Sequence, residues 1–505
     1  MVKKTEQKNT LVPREPIVAI MGHIDHGKTT LLDYIRQTAV AMKETGGITQ
    51  HVAAYEVIRK SPDGIESKIT FIDTPGHEAF LAVRSRGVAV ADIAVLIVSG
   101  EDGVKPQTLE ALKFITDAKL PFIIAISKID KPSADIERTK QNLLENGIYI
   151  EGYGGTIPCV ALSGKSGAGV SDLLDMILLL AEMESISADF KKPAEGVVLE
   201  SSRSKEKGIA ATLIIKNGCL KKGMAIVSGV ALSSLRHMEN FAGKKIDSAE
   251  PGMPVIVFGW DEMPRPGIGF ISFVNKYEAE KYRAEQNDKT PSKMSRGAYV
   301  SKEERTIVPL IIKADTLGSL DAILHELDKF KSDKIVPKII QPGTGTINES
   351  DIKSALTSEA SIVLGFNVLV DGPAKNLALR DGISIELFDI IYKLTERVSE
   401  ILLERTPKMK VAEMSGRAKI VRMFNAVKGK QILGGKVTEG IIRQGEVFKI
   451  IRRTAEVGEG KIKGLEQAKA KTNEVVEGHE FGAMVESKIE IAPGDTIECF
   501  IIVEK

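Results

Sequence analysis

The sequence predicts a multidomain protein of the α/β and β classes: a phosphate-loop α/β domain, a β-barrel, a small α/β domain, a long connecting helix and a C-terminal β-barrel. Its 505 residues exceed what a single hydrophobic core accommodates. Alternating strand and helix patterns indicate parallel sheets covered by helices, and short strands between glycine turns indicate antiparallel barrels. The predicted boundaries are a short polar tail over 1–15, the phosphate-loop domain over 16–185, the first barrel over 186–275, a charged helix and linker over 276–304, the small α/β domain over 305–385, the connecting helix over 386–407 and the last barrel over 408–505.

The composition is that of an ordinary soluble globular protein, with 43% hydrophobic and 27% charged residues. A formal net charge of +1 excludes a uniformly basic RNA-coating protein but not local basic faces. Cys159, Cys219 and Cys499 form no C-x-x-C pair, which indicates a reducing cytosol rather than a zinc ribbon or disulfide framework. The tail contains no secretory signal, and the longest apolar stretch, Val88 to Val98, is too short to span a bilayer. We therefore expect a cytoplasmic protein without membrane contact.

A glycine-rich phosphate loop lies near the start of the chain. Its spacing is G-x-x-x-x-G-K-[ST], between an apolar run typical of a buried strand and a segment with helical spacing. The two glycines let backbone N–H groups turn towards phosphate oxygens, the lysine reaches the β- and γ-phosphates, and the threonine hydroxyl ligates Mg²⁺. The two histidines are expected only to shape the loop. The residues are Gly22, His23, Ile24, Asp25, His26, Gly27, Lys28 and Thr29, followed by Thr30.

A second motif, Asp73-Thr74-Pro75-Gly76-His77, follows the predicted strand over 69–72. An aspartate at the carboxyl end of a strand beside a phosphate loop is placed to hold Mg²⁺ through water. The proline and glycine allow the backbone to reorganise when a γ-phosphate is present or absent. Because the motif follows the loop by about fifty residues, it predicts a nucleotide switch.

Two further loops are predicted to meet the base. Ser127-Lys128-Ile129-Asp130 ends a buried strand, and the Asp130 carboxylate is suited to accept from both N1–H and N2–H₂ of guanine, which adenine does not offer. The Lys128 stem is expected to cover the ring. Ser163-Gly164-Lys165 ends the next strand and brings a last loop towards the base.

These motifs, in this order, resemble those of a GTPase. His77, directly after the switch glycine, resembles the translational GTPases, and Gly46-Gly47-Ile48-Thr49-Gln50-His51 is similar to the first switch of the initiation factor 2 family. The resemblance implies that Thr49 ligates Mg²⁺ with Thr29 and Asp73 when GTP is bound. It also implies that His77 is the catalytic residue that orients the attacking water on the ribosome.

One residue of the nucleotide site departs from the family. The family usually has asparagine where this chain has Ser127. A shorter hydroxyl is expected to lose part of the amide contact to the base and to the phosphate loop. We expect guanine selectivity to survive through Asp130, with weaker binding.

The first barrel resembles the second domain of translational GTPases, which implies docking on small-subunit ribosomal RNA; a purely structural barrel is an equal alternative. Charged residues at helical spacing over 276–296, with few apolar anchors, predict a solvated helix and a linker.

The small α/β domain shows a β-α-β-α-β pattern with a helix start at Asn348-Glu349-Ser350-Asp351. Its Ala314-Asp315, Gly318-Ser319 and Gly365-Phe366-Asn367-Val368 segments resemble the third domain of initiation factor 2. Turns and caps explain the glycines better than a second nucleotide site, because no phosphate-loop lysine follows. An apolar stripe from Leu387 to Leu402 then predicts a helix. It either holds the last domain away, as the family implies, or packs on its own domain.

The last barrel has an uneven charge. Residues 411–470 contain 13 Lys/Arg against six Glu, whereas 471–505 contain three Lys against eight Asp/Glu. The basic face is either a phosphate-binding surface or a solvated one.

Arg422-Met423-Phe424-Asn425 and Gly434 to Gly440 resemble the family's last domain, which implies binding of the acceptor end of formylmethionyl initiator tRNA. The chain departs from the family at Glu466-Gln467-Ala468-Lys469, which replaces a Lys-Arg-aromatic-Lys run, and at Phe481, which replaces cysteine. Phe481 is expected to fill or reshape the methionine pocket. The implied contacts are Arg422, Lys469, Glu480, Phe481 and Gly482.

The resemblance spans residues 14–505 and implies a GTP- and Mg²⁺-dependent factor, monomeric and cytoplasmic. It implies that the factor places initiator tRNA on the small ribosomal subunit, promotes joining of the large one and hydrolyses GTP, alongside other initiation factors. One alternative is a related translational GTPase with another tRNA or ribosomal ligand. Another is a ribosome-binding protein gated by GTP without hydrolysis, which the intact Lys28, Thr29, Thr49, Asp73 and His77 disfavour.

Overall fold

The computed structural model describes residues 11–36, 52–60, 66–76, 78–287, 306–330, 335–358, 361–405, 410–427, 430–468 and 470–504. The chain forms two compact units, which meet in sequence between Arg405 and Thr406. Every helix in the described ranges is too short or too polar to span a bilayer.

The phosphate-loop domain is built on a largely parallel six-stranded sheet with helices on both faces, as predicted. Val18 and Ile20 enter one core while Ala19 and Met21 enter the other, so both faces of the central strand are buried. In spatial order the strands are Ala53–Lys60, Glu66–Asp73, Ile17–Gly22, Ile93–Ser99, Phe122–Ser127 and Cys159–Ala161, the first antiparallel to its neighbour. The helices are Lys28–Arg36, Leu81–Val90, Pro106–Asp117, Ile136–Glu145 and Val170–Met183.

The prediction of a polar tail over 1–15 is wrong for its last residues. Strand Val12–Pro13 pairs with strand Ser187–Ala188, and the Arg14 guanidinium donates to both carboxylate oxygens of Asp92 at 2.7 Å. Lys216 of the first barrel donates to the same carboxylate at 2.7 Å. Burial alone would raise the pKa of Asp92, but these two cations outweigh it and lower that pKa. The segment is ordered because a buried carboxylate requires its arginine.

The first barrel is one antiparallel eight-stranded sheet around a single core, as predicted. An isolated β-bridge between Ser233 and Trp260 joins the edge strand, Ala231–Ser234, to the segment that follows strand Pro254–Phe258. In spatial order the strands are Ala231–Ser234, Ala225–Ser228, Gly269–Phe273, Glu195–Ser204, Gly208–Asn217, Pro254–Phe258, Met238–Asn240 and Lys245–Ile246, with Leu220–Lys221 and Ser248–Ala249 forming a separate pair.

The charged helix spans Lys276–Asn287 and is less solvated than predicted. Ala279 is fully buried against the barrel, and the Tyr282 ring lies 5.2 Å from that of Phe273. Two anchors one turn apart are enough to attach a helix that is otherwise polar.

The small α/β domain is a four-stranded parallel sheet, one strand more than predicted. In spatial order the strands are Ile335–Thr344, Thr306–Ala314, Ile362–Phe366 and Ser384–Phe388, with helices Leu317–Asp328, Glu349–Ala355, Gly372–Asp381 and Ile391–Arg405. The Asn348 side chain accepts from the N–H groups of Ser350 and Asp351, which confirms the predicted helix start. Thr316 caps the helix that follows Asp315, as expected for turns and caps rather than a second nucleotide site.

The connecting helix begins at Ile391, not at 386, and it packs on its own domain over its whole length. Leu387 belongs to the preceding strand. Leu394, Val398 and Ile401 are buried in the core of the small α/β domain. The packed alternative is therefore correct for residues 391–405. The role of the segment as a spacer stays a prediction.

The second unit is a closed barrel, as predicted. Its first strand, Lys410–Val427, pairs with both Thr496–Glu504 and Lys430–Arg443, which closes the ring. The remaining strands are Val447–Arg452, Ala455–Gln467, Ala470–Lys471, Glu474–Val476 and Glu480–Ser487.

The switch helix, Leu81–Val90, shares a hydrophobic core with the small α/β domain. Phe80 and Val83 belong to the same buried cluster as Leu320 and Ile323 of the junction helix, Leu317–Asp328. Ion pairs flank this core: Arg86 binds Asp321, and the Lys329 ammonium lies 2.8 Å from Glu78 Oε1. The helix after the switch loop is thus joined directly to another domain.

Glu200 of the first barrel lies at the same junction. Its buried carboxylate accepts from the N–H groups of Ser201 at 2.8 Å and Gly318 at 3.1 Å. Burial raises the pKa of Glu200 to about 7. The two backbone donors and Arg86 act to lower this pKa, and Asp315 acts to raise it.

Replacing Glu200 by Gln is expected to remove a pH dependence of stability. Because the folded pKa exceeds the unfolded one, the native state holds a proton between pH 4.5 and 7 that the unfolded state releases, so wild-type stability falls as the pH rises through this window. The unfolding free energy of E200Q relative to wild type should rise by about 1 kcal/mol per pH unit. Urea unfolding followed by the single tryptophan, Trp260, measures it. Equal pH dependence in E200Q and in the exposed control E195Q would contradict the assignment.

Candidate nucleotide-binding site

The phosphate loop joins strand Ile17–Gly22 to helix Lys28–Arg36, the context that its spacing requires. Gly22 has φ +146°, and a Cβ there would lie 2.4 Å from the Ile97 carbonyl oxygen. Gly27 has φ +87°. Only glycine satisfies both the conformation and the close approach at Gly22, so the loop is fixed against the neighbouring strand.

Lys28 and Gly76 bring the two phosphate-binding motifs together. The Lys28 ammonium donates to the carbonyl oxygens of Gly22 at 3.0 Å and His23 at 2.6 Å. A Cβ added at Gly76 would lie 2.6 Å from the same nitrogen. Burial lowers the pKa of Lys28, while Asp73 acts to raise it. The switch glycine therefore lies beside the cation that would meet the phosphates.

Asp73 and Thr29 are the described members of the predicted metal-ligand set. Asp73 ends its strand opposite Ile20 and is buried. Thr74 Oγ1 donates to the Ile20 carbonyl at 2.8 Å, which holds the motif against the strand that feeds the loop. Carboxylate and hydroxyl oxygens are ligands suited to Mg²⁺, so the donor set fits this ion. Thr49 and the catalytic candidate His77 lie outside the described residues, and their roles stay predictions.

The two loops predicted to meet the base are in contact. The Ser163 hydroxyl donates to Asp130 Oδ1 at 2.6 Å and accepts from the N–H groups of Lys165 and Ser166. The Ser163 hydrogen bond lowers the pKa of the Asp130 carboxyl, which favours the charged form that binds two donors. A Cβ at Gly164 would lie 2.8 Å from the backbone of Leu31, so this loop rests directly on the phosphate-loop helix.

Lys128 and Ile129 complete the loop before Asp130. Lys128 has φ +61°, and its ammonium lies 3.4 Å from Glu101 and 3.7 Å from Asp102. The Ile129 N–H donates to the Leu162 carbonyl at 3.4 Å, which ties the two base loops together.

Ser127 keeps a contact that was expected to weaken. Its hydroxyl donates to the His26 carbonyl at 2.5 Å, and it is buried. The loop thus approaches closely enough for a short side chain to keep one hydrogen bond. The expected weaker nucleotide binding stays a prediction.

The two loop histidines have the structural role predicted for them. His26 is buried, its Nδ1 accepts from the Ser99 N–H at 3.3 Å, and burial lowers its pKa to about 4. The His23 ring stands edge-on to it at 4.9 Å. His26 is therefore neutral at physiological pH and fills space beneath the loop.

Arg84 is a residue of this site that the sequence reasoning missed. Its buried guanidinium lies 3.1 Å from Glu110 Oε1 and 3.4 Å from the Gly76 carbonyl. Arg84 follows Phe80 by four residues and precedes Val88 by four, so its helical position already indicated burial. Its guanidinium connects the switch glycine to the helix Pro106–Asp117.

In the C-terminal barrel the predicted acceptor-end residues lie on neighbouring strands. The cross-strand register places Arg422, Gly434, Gly482 and Glu466 in one row across four strands. Glu480 is exposed one row away, opposite Lys436. Lys469 lies outside the described residues.

Phe481 faces the barrel core. Its expected effect on a methionine pocket stays a prediction. Phe481 is 5% exposed, and a Cβ at its cross-strand partner Gly435 would lie 2.8 Å from its ring. The Phe481 ring occupies the space that Gly435 leaves. Because successive residues of a strand face opposite sides of the sheet, residue 481 faces the core and residue 482 faces outward.

Comparison with known proteins matches successive parts of the chain to three family models. These are the GTP-binding domain of elongation factor Tu at residues 14–183, domain 2 of elongation factor G at 193–273, and translation initiation factor 2 at 280–399.

Full-length relatives are also similar. Translation initiation factor IF-2 of Nitratiruptor sp. is 41% identical over 98% of this chain and 59% of its own length. The same factor of Halothermothrix orenii is 40% identical over 96% of this chain and 72% of its own length. A crystal structure of GDP-bound aIF5B from Aeropyrum pernix aligns with 97% of this chain and 92% of its own at 26% identity, with a TM-score of 0.46. The chain thus spans less than two thirds of the Nitratiruptor factor.

Proposed function

Because this chain belongs to the translation initiation factor 2 family, we propose that it is a ribosome-stimulated GTPase of translation initiation. With GTP it promotes binding of formylmethionyl initiator tRNA to the small ribosomal subunit and joining of the large subunit, and it then hydrolyses GTP. The observation that supports the proposal is that Lys28, Asp73 and the Asp130–Ser163 pair all lie at or just beyond the carboxyl ends of the parallel strands of one sheet. The proposal places the protein in the cytoplasm, as a monomer acting alongside other initiation factors.

Each site residue has a definite task. The backbone N–H groups of the loop and the Lys28 ammonium hold the β- and γ-phosphates. Thr29, Asp73 and, in the GTP state, Thr49 hold Mg²⁺, which when bound neutralises charge on the phosphate oxygens. Asp130 accepts from N1–H and N2–H₂ of guanine while Ser163 holds its carboxylate in place.

Hydrolysis is coupled to the rest of the molecule through the switch loop. Gly76 lies beside the Lys28 ammonium, so a γ-phosphate held by Lys28 would lie next to the switch loop. His77 follows directly in the sequence, and its proposed task is to orient the attacking water. Movement of this loop displaces Phe80, which is packed in the core of the small α/β domain.

Replacing His77 by Ala is expected to abolish ribosome-stimulated hydrolysis while leaving GTP binding within twofold. Groups that position or activate a nucleophile typically contribute at least about a hundredfold, and His77 is not among the residues that grip the phosphates. Phosphate release with and without ribosomes, together with nucleotide titration, measures both quantities.

The control is His325→Ala, an exposed histidine of the junction helix. Unchanged ribosome-stimulated turnover in H77A would contradict the role of His77 in orienting the attacking water. Absence of ribosome stimulation in the wild type would instead favour the nucleotide-gated, non-hydrolysing alternative.

One observation favours a second candidate, a related translational GTPase with a different tRNA ligand. Glu466 stands in the same row as Arg422 on the acceptor face, and a carboxylate there disfavours a phosphate backbone. Filter binding of the GTP-loaded chain to initiator and elongator tRNA separates the two: preference for formylated initiator tRNA supports the initiation factor, and equal or reversed preference supports the alternative.

A further inference from the structure

Arg84 is buried in the switch helix, Leu81–Val90, although it carries a charge. Its Nη2 lies 3.1 Å from Glu110 Oε1, and its Nη1 donates to the Gly76 carbonyl oxygen at 3.4 Å. Its Nε is also buried and has no acceptor among the described residues. A buried ion pair is often no more stable than an apolar side chain of the same size, so stability alone does not explain an arginine at this position.

The switch helix packs closely on the start of the switch loop, which brings Arg84 to that loop. A Cβ at Gly87 would lie 2.7 Å from Thr74 Cγ2, so a side chain there would have to displace Thr74. Arg84 lies three residues before Gly87 and therefore on the same side of the helix. The close approach at Gly87 places the Arg84 guanidinium at the Gly76 carbonyl.

The carbonyl that Arg84 holds belongs to the peptide bond between Gly76 and His77. Because a peptide bond is planar, the direction of the Gly76 carbonyl fixes the plane from which the chain continues to residue 77. Gly76 itself lies against the phosphate loop, since a Cβ there would lie 2.6 Å from Lys28 Nζ and 3.4 Å from the Ile24 nitrogen. Arg84 thus holds a peptide group next to the lysine proposed to bind the phosphates.

The helix Pro106–Asp117 anchors both sides of this contact. Its Glu110 binds Arg84, and its Gln107, one turn earlier, accepts from the Ile24 N–H of the phosphate loop at 3.3 Å. The helix is itself packed in the core of the nucleotide domain. One packed helix therefore holds the phosphate loop directly and the switch peptide through Arg84.

We propose that Arg84 is a positioning residue for GTP hydrolysis, which holds the Gly76 carbonyl so that the peptide bond to His77 keeps one orientation beside the phosphate loop. The inference rests on the proposed function of the chain and on the proposed task of His77. Arg84 acts only through Gly76, so its loss lowers the rate of hydrolysis and leaves the affinity for nucleotide unchanged.

The test measures hydrolysis of GTP with excess ribosomes, and GDP affinity by calorimetric titration of the full chain, for the wild type and Arg84→Ala. Because a small misplacement of a reacting group costs up to about a hundredfold in rate, R84A should hydrolyse GTP at least about tenfold more slowly while its GDP affinity stays within about twofold. Millimolar guanidinium ion should restore part of the lost rate in R84A, because it fits the space that the side chain leaves. It should leave the wild-type rate unchanged. A merely structural role would not give this rescue.

Glu110→Gln is a second variant, which keeps the arginine and removes the charge that anchors it. E110Q should hydrolyse GTP about threefold to tenfold more slowly, the factor expected for one net hydrogen bond, with wild-type GDP affinity. Thermal unfolding checks that it is folded. The matched control is Arg59→Ala, which removes an arginine bound to Asp175 in the same domain and should change neither quantity.

Three results would overturn the positioning role of Arg84: a wild-type rate in R84A, an equal fall of rate and GDP affinity, or no rescue by guanidinium. Each of them leaves the proposed GTPase intact, because the wild type and R59A still hydrolyse GTP. A wild type that hydrolyses no GTP on ribosomes would instead reject the proposed function, and this inference with it.

Discussion

Asp130→Asn is expected to weaken GDP binding by about a thousandfold and to make xanthosine diphosphate the preferred ligand. Asp130 accepts two N–H groups in its charged form, which the Ser163 hydrogen bond favours. Two charge-assisted hydrogen bonds contribute about 3–5 kcal/mol in total, which corresponds to this factor. The amide of asparagine presents a donor as well, and it is complementary to the carbonyl that xanthine has in place of the guanine amino group. Competition of the two diphosphates for the full chain measures the reversal.

The control for this change is Asp172→Asn, which makes the same substitution on an exposed helix position of the same domain. D172N should leave both affinities unchanged. If D130N retained wild-type affinity for GDP, the base would not be read by this carboxylate, and the assignment of both base loops would fail.

Phe80→Ala is expected to lower the free energy of unfolding of the first unit by about 3–5 kcal/mol, the usual cost of truncating a buried phenylalanine. Phe80 is 1% exposed and packs in the core of the small α/β domain rather than in its own. The loss should therefore loosen the attachment of that domain as well as lower stability. Urea unfolding, together with proteolysis at the junction, measures both effects.

Leu179→Ala serves as the matched control because Leu179 is 52% exposed on a helix of the same domain. Its effect should stay within about 0.5 kcal/mol. Equal stability of F80A and L179A would mean that the shared core contributes little to holding the two domains together.

Local spacing was sufficient to predict which strands and loops the nucleotide-binding motifs occupy. The phosphate loop, the switch aspartate and the base loops each follow an apolar strand, and strands of this length and composition become parallel neighbours whose ends share one edge. The placement of Lys28 and Asp130 at one edge of the sheet therefore needed only the order of the motifs. The element types in both barrels were predictable for the same reason.

Other features depend on partners distant in sequence. Arg14 looks like part of a polar tail until Asp92 is placed next to it. Leu387 fits the apolar spacing of the following helix. It lies in a strand instead, because it pairs in parallel with the strand Ile362–Phe366. Phe481 lies in the barrel core because Gly435 opposite it leaves room for the ring. In each case tertiary packing overrode a local pattern that was ambiguous.

The core shared by the switch helix and the small α/β domain decides where the chain can be cut for expression. A fragment ending near residue 185 or 275 would leave the apolar side of Phe80 and Val83 in water and invite aggregation. Truncation after Arg405 removes only a barrel that has its own closed ring of strands. Crystallisation or binding studies of the nucleotide site should therefore use residues 11–405, not the isolated nucleotide domain.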